Sequence, residues 1–481
     1  MQPFGEWLPD MPVLNNPGAS NIDGVFPMVG HYRPMRSIVA YSNALTARAQ
    51  GMFSMRDKDG NVTTFAGDVS KLYKLSGQTF NDVSQTAVTY AVSADSFWGW
   101  TQFGDEVIAT NLTDNVQTFT PGTSTKFADL AGSPPKAKRI ATVRDFVVLG
   151  YLSTGANRLH WSAQNDSTGW TAGTNQSDTQ TLPDGDAVMA ITSGEVGYIV
   201  QEKAIRRMVY VGLPLVFQID KLEENRGTRA AGSVVQVGER FYYLGEDGFY
   251  EFDGQRSVPI GTQKVDKTFF ADMDSTYLFR ITGVSDPINK LVIWSYPSTA
   301  SVDGTPDKLI IFNWVTRTWA QASISCEMVG TNHVAGYTLE GLDAVSADID
   351  ALAFSLDSRA WTGGGLILAA YDTAHKLSFF TGDTLAATLE TAEAQIIPGR
   401  RAYVSGVTPL VDTTSATSAA GYRERQGDSV VYTSEASMQY TGECPLEASG
   451  RYVRARVKIP AATSWNKAQG VDFIAADDGV V

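Results

Sequence analysis

The chain has 481 residues with 38 Lys/Arg against 52 Asp/Glu, a formal net charge of −14. That balance excludes nucleic-acid binding by bulk electrostatics, which needs a cationic footprint. A content of 43% hydrophobic and 19% charged residues excludes disorder, and 11% aromatics with 44 glycines describe a turn-rich β protein. No apolar run reaches the length of a membrane span, and the N-terminus MQPFGEWLPD lacks basic and apolar leader regions, so a soluble protein made in a cytoplasm is expected.

Residues 1–36 form an extended Pro/Gly/Asn-rich arm. Its prolines remove helical N–H donors and favour an extended path. Trp7, Leu8, Val25, Phe26 and Tyr32 are too apolar for a free tail. The simpler expectation is an arm strapped over its own domain. If the arm instead reaches a neighbouring subunit, Trp7 and Tyr32 are its contact candidates.

From residue 37 to about 385 the chain is a run of short strands. Phe103 to Leu130 is the clearest unit: a Gly-Asp turn, an apolar strand (Val107, Ile108, Ala109), the turn NLTDN, a second strand, and a Gly/Ser/Thr loop delivering Phe127. The strand–loop–aromatic order recurs at 72–83, 158–173, 207–220, 249–261, 309–322 and, most weakly, 376–390. The anchors Phe80, Phe127, Trp170, Phe217 and Val258 come about every 45 residues, with wider steps to Trp319 and Ala386. Ahead of each outer pair sits an apolar strand, as in GDEVIAT (104–110), RDFVVLG (144–150) and NKLVIWS (289–295), expected to be the inner strand of its unit. Stacked β-sandwiches would also give short strands with regular turns, but the fixed order favours an all-β β-propeller of about six or seven blades. KVDKTFFADM (264–273) predicts a short helix with Val265, Phe269 and Met273 on one face, and the acidic stretch 338–354 a loop or short helix between blades.

Residues 386–481 read as a small C-terminal β domain. Within it GRYVRARVKIP (450–460) alternates strictly, with Val453, Ala455, Val457 and Ile459 on one face and Arg454, Arg456 and Lys458 on the other. That basic face is a candidate for a subunit contact, an acidic partner or DNA.

No Walker loop, GxGxxG, HExxH or GxSxG occurs, and His31, His160, His333 and His375 are scattered over different units. No enzyme activity, cofactor or metal is expected. Asp105, Asp145, Glu195, Glu239 and Asp286 fall at equivalent turns, which in a propeller share one rim, so convergence of carboxylates is geometrically possible. Turn chemistry is the simpler role for them. DKDGNVTTFAGD (57–68) has acidic spacing but its glycine is misplaced for a calcium loop, which leaves a DG hairpin turn. Cys326 and Cys444 have no metal-type spacing and read as structural thiols.

The arm NNPGASNIDGVFPMVGHYRPMRSI (15–38), the stretch GMFSMRDKDGNVTTFAGDVSKLYKLSGQTFNDVS (51–84), FGDEVIATNLTDNVQTF, AKRIATVRDFVVLG (137–150) and the closing GRYVRARVKIPAATSWNKAQGVDF (450–473) together resemble the packaged-DNA stabilization or tail nozzle (tail hub) proteins of short-tailed bacteriophages. The resemblance is one of pattern along most of the chain. It implies a propeller-bearing virion subunit in a homohexameric ring below the portal and adaptor, near tail fibre or tailspike proteins, that retains double-stranded DNA and conducts it on ejection. The family supplies no catalytic residues. A different expectation is a propeller lectin or glycoside-acting protein using the acidic turns and ten tryptophans against surface glycans; a general protein-interaction propeller is a third.

Overall fold

Val, Ile, Phe and Tyr in runs of four to seven residues, broken by Gly, Asn and Asp, make antiparallel hairpins that can bury both faces only by packing against other sheets. The computed structural model describes residues 1–14, 16–333 and 365–479; the acidic stretch 338–354 lies outside them. Six separate four-stranded sheets and a seventh built into a larger sheet form the blades of a propeller. Blade 1 spans Met52–Arg56 to Thr79–Asp82, blade 2 Gly99–Phe103 to Ala128–Asp129, and blade 3 Ala137–Val143 to Asp178–Thr181. Blade 4 spans Val188–Ile191 to Val216–Glu224, blade 5 Val235–Val237 to Ser257–Pro259, and blade 6 Thr282–Asp286 to Thr318–Ser323. Blade 7 takes three strands, Met328–His333, Leu366–Tyr371 and Lys376–Phe379, from late in the propeller and its outermost strand, Val39–Ala44, from the N-terminal side. The ring is thereby closed by backbone hydrogen bonds between its two ends.

The apolar strands expected to be innermost are second in each blade. Phe146–Leu152 and Leu291–Tyr296 are buried almost throughout because each lies between two strands of its own sheet and two neighbouring blades. The true innermost strands precede them and approach closely the strands beside them. A Cβ on Gly283 would collide with Val235 and Trp294 of its neighbours, so a hydrogen side chain is required there.

Contacts between adjacent blades run round the whole circle. His333 N–H donates to Ser54 Oγ at 3.0 Å (blades 7 and 1), Gln102 Nε2 to Arg56 O at 2.9 Å (2 and 1), and Thr142 Oγ1 to Gln102 O at 2.7 Å (3 and 2). Arg144 N–H donates to Gly194 O at 2.7 Å (3 and 4) and Gln236 Nε2 to Ser193 O at 2.7 Å (5 and 4). Trp294 Nε1 donates to Ser233 O at 2.8 Å (6 and 5) and Val329 N–H to Thr282 Oγ1 at 3.0 Å (7 and 6).

The anchors Phe80, Phe217, Val258 and Trp319 lie in the fourth strands of their blades, and Phe127 and Trp170 immediately ahead of or in the loop leading to them. Ala386 is different: the chain leaves blade 7 there and enters a second body. The outer strand of blade 6 continues, through a parallel pairing of Asp23 with Gln321, into Ala19–Asp23, Ala387–Thr391, Tyr452–Ile459 and Thr417–Arg423. A facing sheet orders Val25–Met28, His31–Pro34, Ala468–Asp477, Ala402–Val411 and Cys444–Gly450. Val404, Val407, Ala448, Val453, Val457 and Val471 fill the space between the two sheets. Arm and C-terminal segment thus build one sandwich fused to blade 6. The expected helix is present as Asp266–Asp272, with Val265, Phe269 and Met273 buried. Residues 57–61 form the tight turn of a hairpin in which Asp57 accepts from the N–H of Asp59 (3.0 Å) and Asn61 (2.7 Å).

Candidate functional site

The seven innermost strands enclose an axial cavity of about 480 Å³. Met52, Ser54, Ile191, Gln236, Ser285, Gly330 and Thr331 are among its walls, and Arg139 is the one charged residue of the lining among the described residues. Burial pushes the Arg139 guanidinium down to about 10, and its Nε has no partner among the described residues. The cavity is of the size that holds a small ligand.

The acidic turn residues do fall at equivalent first-to-second-strand turns. Of the five, Asp105 and Glu195 join neighbouring blades. Asp105 of blade 2 accepts the Lys58 N–H (3.1 Å) and faces its ammonium (3.3 Å) across from blade 1. Arg144 of blade 3 lies between Asp145 (3.5 Å) and Glu195 of blade 4 (3.6 Å). Asp286 caps its own turn through the Ile288 N–H at 2.9 Å, and Glu239 is exposed. His160 packs its ring against Trp170 at 5.4 Å, and burial holds it below its ordinary range. Cys326 and Cys444 are buried free thiols; burial pushes Cys326 up to about 12. Of the nine tryptophans among the described residues, seven (Trp7, Trp98, Trp161, Trp170, Trp294, Trp319 and Trp465) are buried in the core.

The candidate contact residues fall into two groups. Trp7 and Tyr32 are 3% and 4% exposed, inside the sandwich, where Tyr32 donates its hydroxyl to Gly5 O at 2.7 Å. Their apolar surface is already covered by this chain, so neither is placed to meet another subunit. Arg454, Arg456 and Lys458 do share one face of their strand, opposite buried Val453, Ala455, Val457 and Ile459. That face is not a free basic patch. Glu390 pairs with Arg454 at 3.0 Å and Arg456 at 2.7 Å, Tyr432 stacks under Arg456 at 3.7 Å, and Lys458 pairs with Glu435. Sequence alternation located the face, but Glu390 and Glu435 are far off in sequence and gave no sign of neutralising it.

A surface missed by the sequence reading stands on blade 4. Ala204–Gly212 and Val216–Glu224 make a nine-residue hairpin, while the preceding strand pairs with it only as far as Met208. Phe217 holds the overhang down on Phe146 (4.9 Å) and Trp161 (5.3 Å) of blade 3. The tip then presents Val211, Leu213 and Leu215 at 46%, 75% and 67% exposure. Three large apolar side chains at one tip exceed the scattered surface apolars of a soluble chain. The signal is present in the sequence as VGLPLV (211–216), inside the stretch 207–220 that reads as one more strand–loop–aromatic repeat.

No family model matches the chain, and no curated protein does. Among solved structures it is similar to a chain of a mitotic checkpoint complex, with TM-score 0.41 and 8% identity over 72% of this chain and 94% of that one. It is also similar to the Neurospora crassa Pan2 WD40 domain, with TM-score 0.41 and 7% identity over 74% of this chain and 99% of that one. The propeller assignment rests on the strand pairing and the closed circle of blade contacts.

Proposed function

We propose that the chain is a structural virion protein, the nozzle or hub subunit of a short-tailed phage tail, whose copies form a ring below a portal and adaptor. In this reading the ring, of hexameric order as in the resembling family, retains packaged DNA and surrounds its path of ejection. The observation that carries assembly is the blade 4 hairpin. It is a stiff two-stranded element anchored by Phe217, with Leu213 and Leu215 exposed at its tip. Such a tip is suited to bury in a neighbouring copy. The sequence resemblance over 15–38, 51–84 and 450–473 supplies the class of particle.

In this reading the DNA path lies in the lumen between copies. The net charge of −14 suits such a wall, because attraction to phosphate is what would hold the duplex back. Tail fibre or tailspike proteins would attach to the outer surface of the ring. The test is mass measurement of the purified protein alone and with portal and adaptor, followed by imaging of the particle. A ring of copies with the hairpin at the subunit boundary is expected. Monomers under all these conditions, the particle included, overturn the reading.

A further inference from the structure

A second cavity, of about 570 Å³, lies where blades 6, 7 and 1 meet. Its walls come from the link between blades 7 and 1 (Arg48), the start of blade 6 (Arg280), and the second-to-third-strand loops of blades 6 and 7 (Ser301, Thr305, His375). All of these segments lie on the rim of inter-blade connections, opposite the acidic turns.

Arg280 is 7% exposed, yet it makes no ion pair among the described residues and its Nε and Nη2 are buried without a partner. Arg48 gives Nη2 to Ala94 O at 2.8 Å and leaves Nη1 buried and unpartnered. The two guanidinium groups are close enough to repel each other; burial first, and then Arg280, push Arg48 down to about 10. The carboxylates in the same walls give their hydrogen bonds to other groups, although Glu327 and Asp303 lie near enough to Arg280 to attract it through space. Glu327 accepts the Ala49 N–H at 2.8 Å and bonds His375 Nδ1 at 2.5 Å. Asp307 accepts both N–H and Oγ of Ser298 at 2.7 Å, and Asp303 accepts the Thr305 N–H at 3.0 Å. A buried guanidinium with unmet donors is costly unless an acceptor arrives. Its planar fork matches the paired oxygens of a carboxylate or phosphate.

We propose that this cavity is a binding site for one small oxyanion group, phosphate or carboxylate, held between Arg280 and Arg48. An anion here touches the link into blade 1 and the loops of blades 6 and 7, so binding clamps the seam at which the propeller closes. The site does not depend on the tail reading.

The test is calorimetric titration of the whole protein with inorganic phosphate and, separately, acetate, against chloride at matched ionic strength, with thermal unfolding alongside. Saturable binding of phosphate or acetate that raises the unfolding midpoint is expected, weakened at least tenfold in Arg280→Met and Arg48→Gln. The anion that binds more tightly identifies the ligand class. Should Arg280→Met not fold, Arg48→Gln decides, since that side chain is only partly buried. No binding of either anion beyond the chloride control, or binding unchanged in the folded variants, overturns the proposal.

Discussion

Phe379, in the last strand the propeller contributes before the chain leaves it, pairs backbone to backbone with Val39, in the strand that precedes blade 1. Blade 7 is completed only by this pairing. Phe379 also packs against Tyr41 at 5.0 Å, so side chains and backbone both hold the closure.

Phe379→Ala therefore removes a buried aromatic from the closing contact and lowers stability by about 3 to 5 kcal/mol, the usual cost for a core aromatic truncation. The denaturant midpoint measures this. Val302→Ala, at a fully exposed site of blade 6, stays within about 0.5 kcal/mol of the parent. A Phe379→Ala protein as stable as the Val302→Ala control argues against closure at this pairing.

Glu390 is the hub of the basic strand face. It is buried and receives Arg454, Arg456, the Tyr432 hydroxyl (2.7 Å) and the Ser20 hydroxyl (3.1 Å). Glu390→Ala strands two guanidinium groups and costs about 3 to 5 kcal/mol, as expected for breaking a buried pair from one side. Arg456→Met costs less, since Arg456 is partly solvated and Arg454 continues to neutralise Glu390. Thermal unfolding of the two variants gives the order; equal losses would contradict it.

Asp266 sits at the start of the short helix with its carboxyl pushed up to about 6, chiefly by burial, with the Asp10 and Asp247 charges adding to the rise. Its Oδ1 accepts the Phe249 N–H at 3.1 Å and its Oδ2 has no partner among the described residues. The folded state holds this proton more tightly than the unfolded chain does. The stabilisation is complete below pH 4 and is lost as pH rises from about 4 to 6. Asp266→Asn does not titrate, so the parent falls relative to it across that window, by at most about 3 kcal/mol at 1.4 kcal/mol per pH unit. Parallel stability curves for the two proteins from pH 3 to 8 would falsify the assignment.

Leu213→Ser with Leu215→Ser leaves the monomer fold intact, because both side chains are exposed, and removes the apolar tip. On the proposed assembly, light scattering shows rings in the parent and none in the double variant, with an unchanged unfolding midpoint of the dissociated chain. Rings that persist in the double variant place the subunit boundary elsewhere.

Local chemistry made much of this architecture readable. Alternation in Tyr452–Ile459 set its buried and charged faces, the apolar runs marked the second strands, and the 264–273 pattern marked the helix. The innermost strands are short and of mixed composition, from MFSMR in Met52–Arg56 to VQV in Val235–Val237, and carry little periodic pattern to mark them. Ala386 reads as a blade anchor because its segment has ordinary strand composition, and composition does not say which sheet a strand joins.

By itself the sequence determined an all-β chain, the repeating hairpin unit, the turn chemistry of residues such as Asp57, and the buried character of the arm. These depend on neighbours a few residues away, where backbone preference and side-chain periodicity act. The tertiary structure alone decided that Val39–Ala44 closes blade 7, that arm and C-terminus share a sandwich, that Glu390 neutralises Arg454 and Arg456, and that Arg48 meets Arg280 across an open cavity. Each of those joins residues tens to hundreds of positions apart, whose pairing is fixed by the closure of the ring and leaves no local mark in the chain.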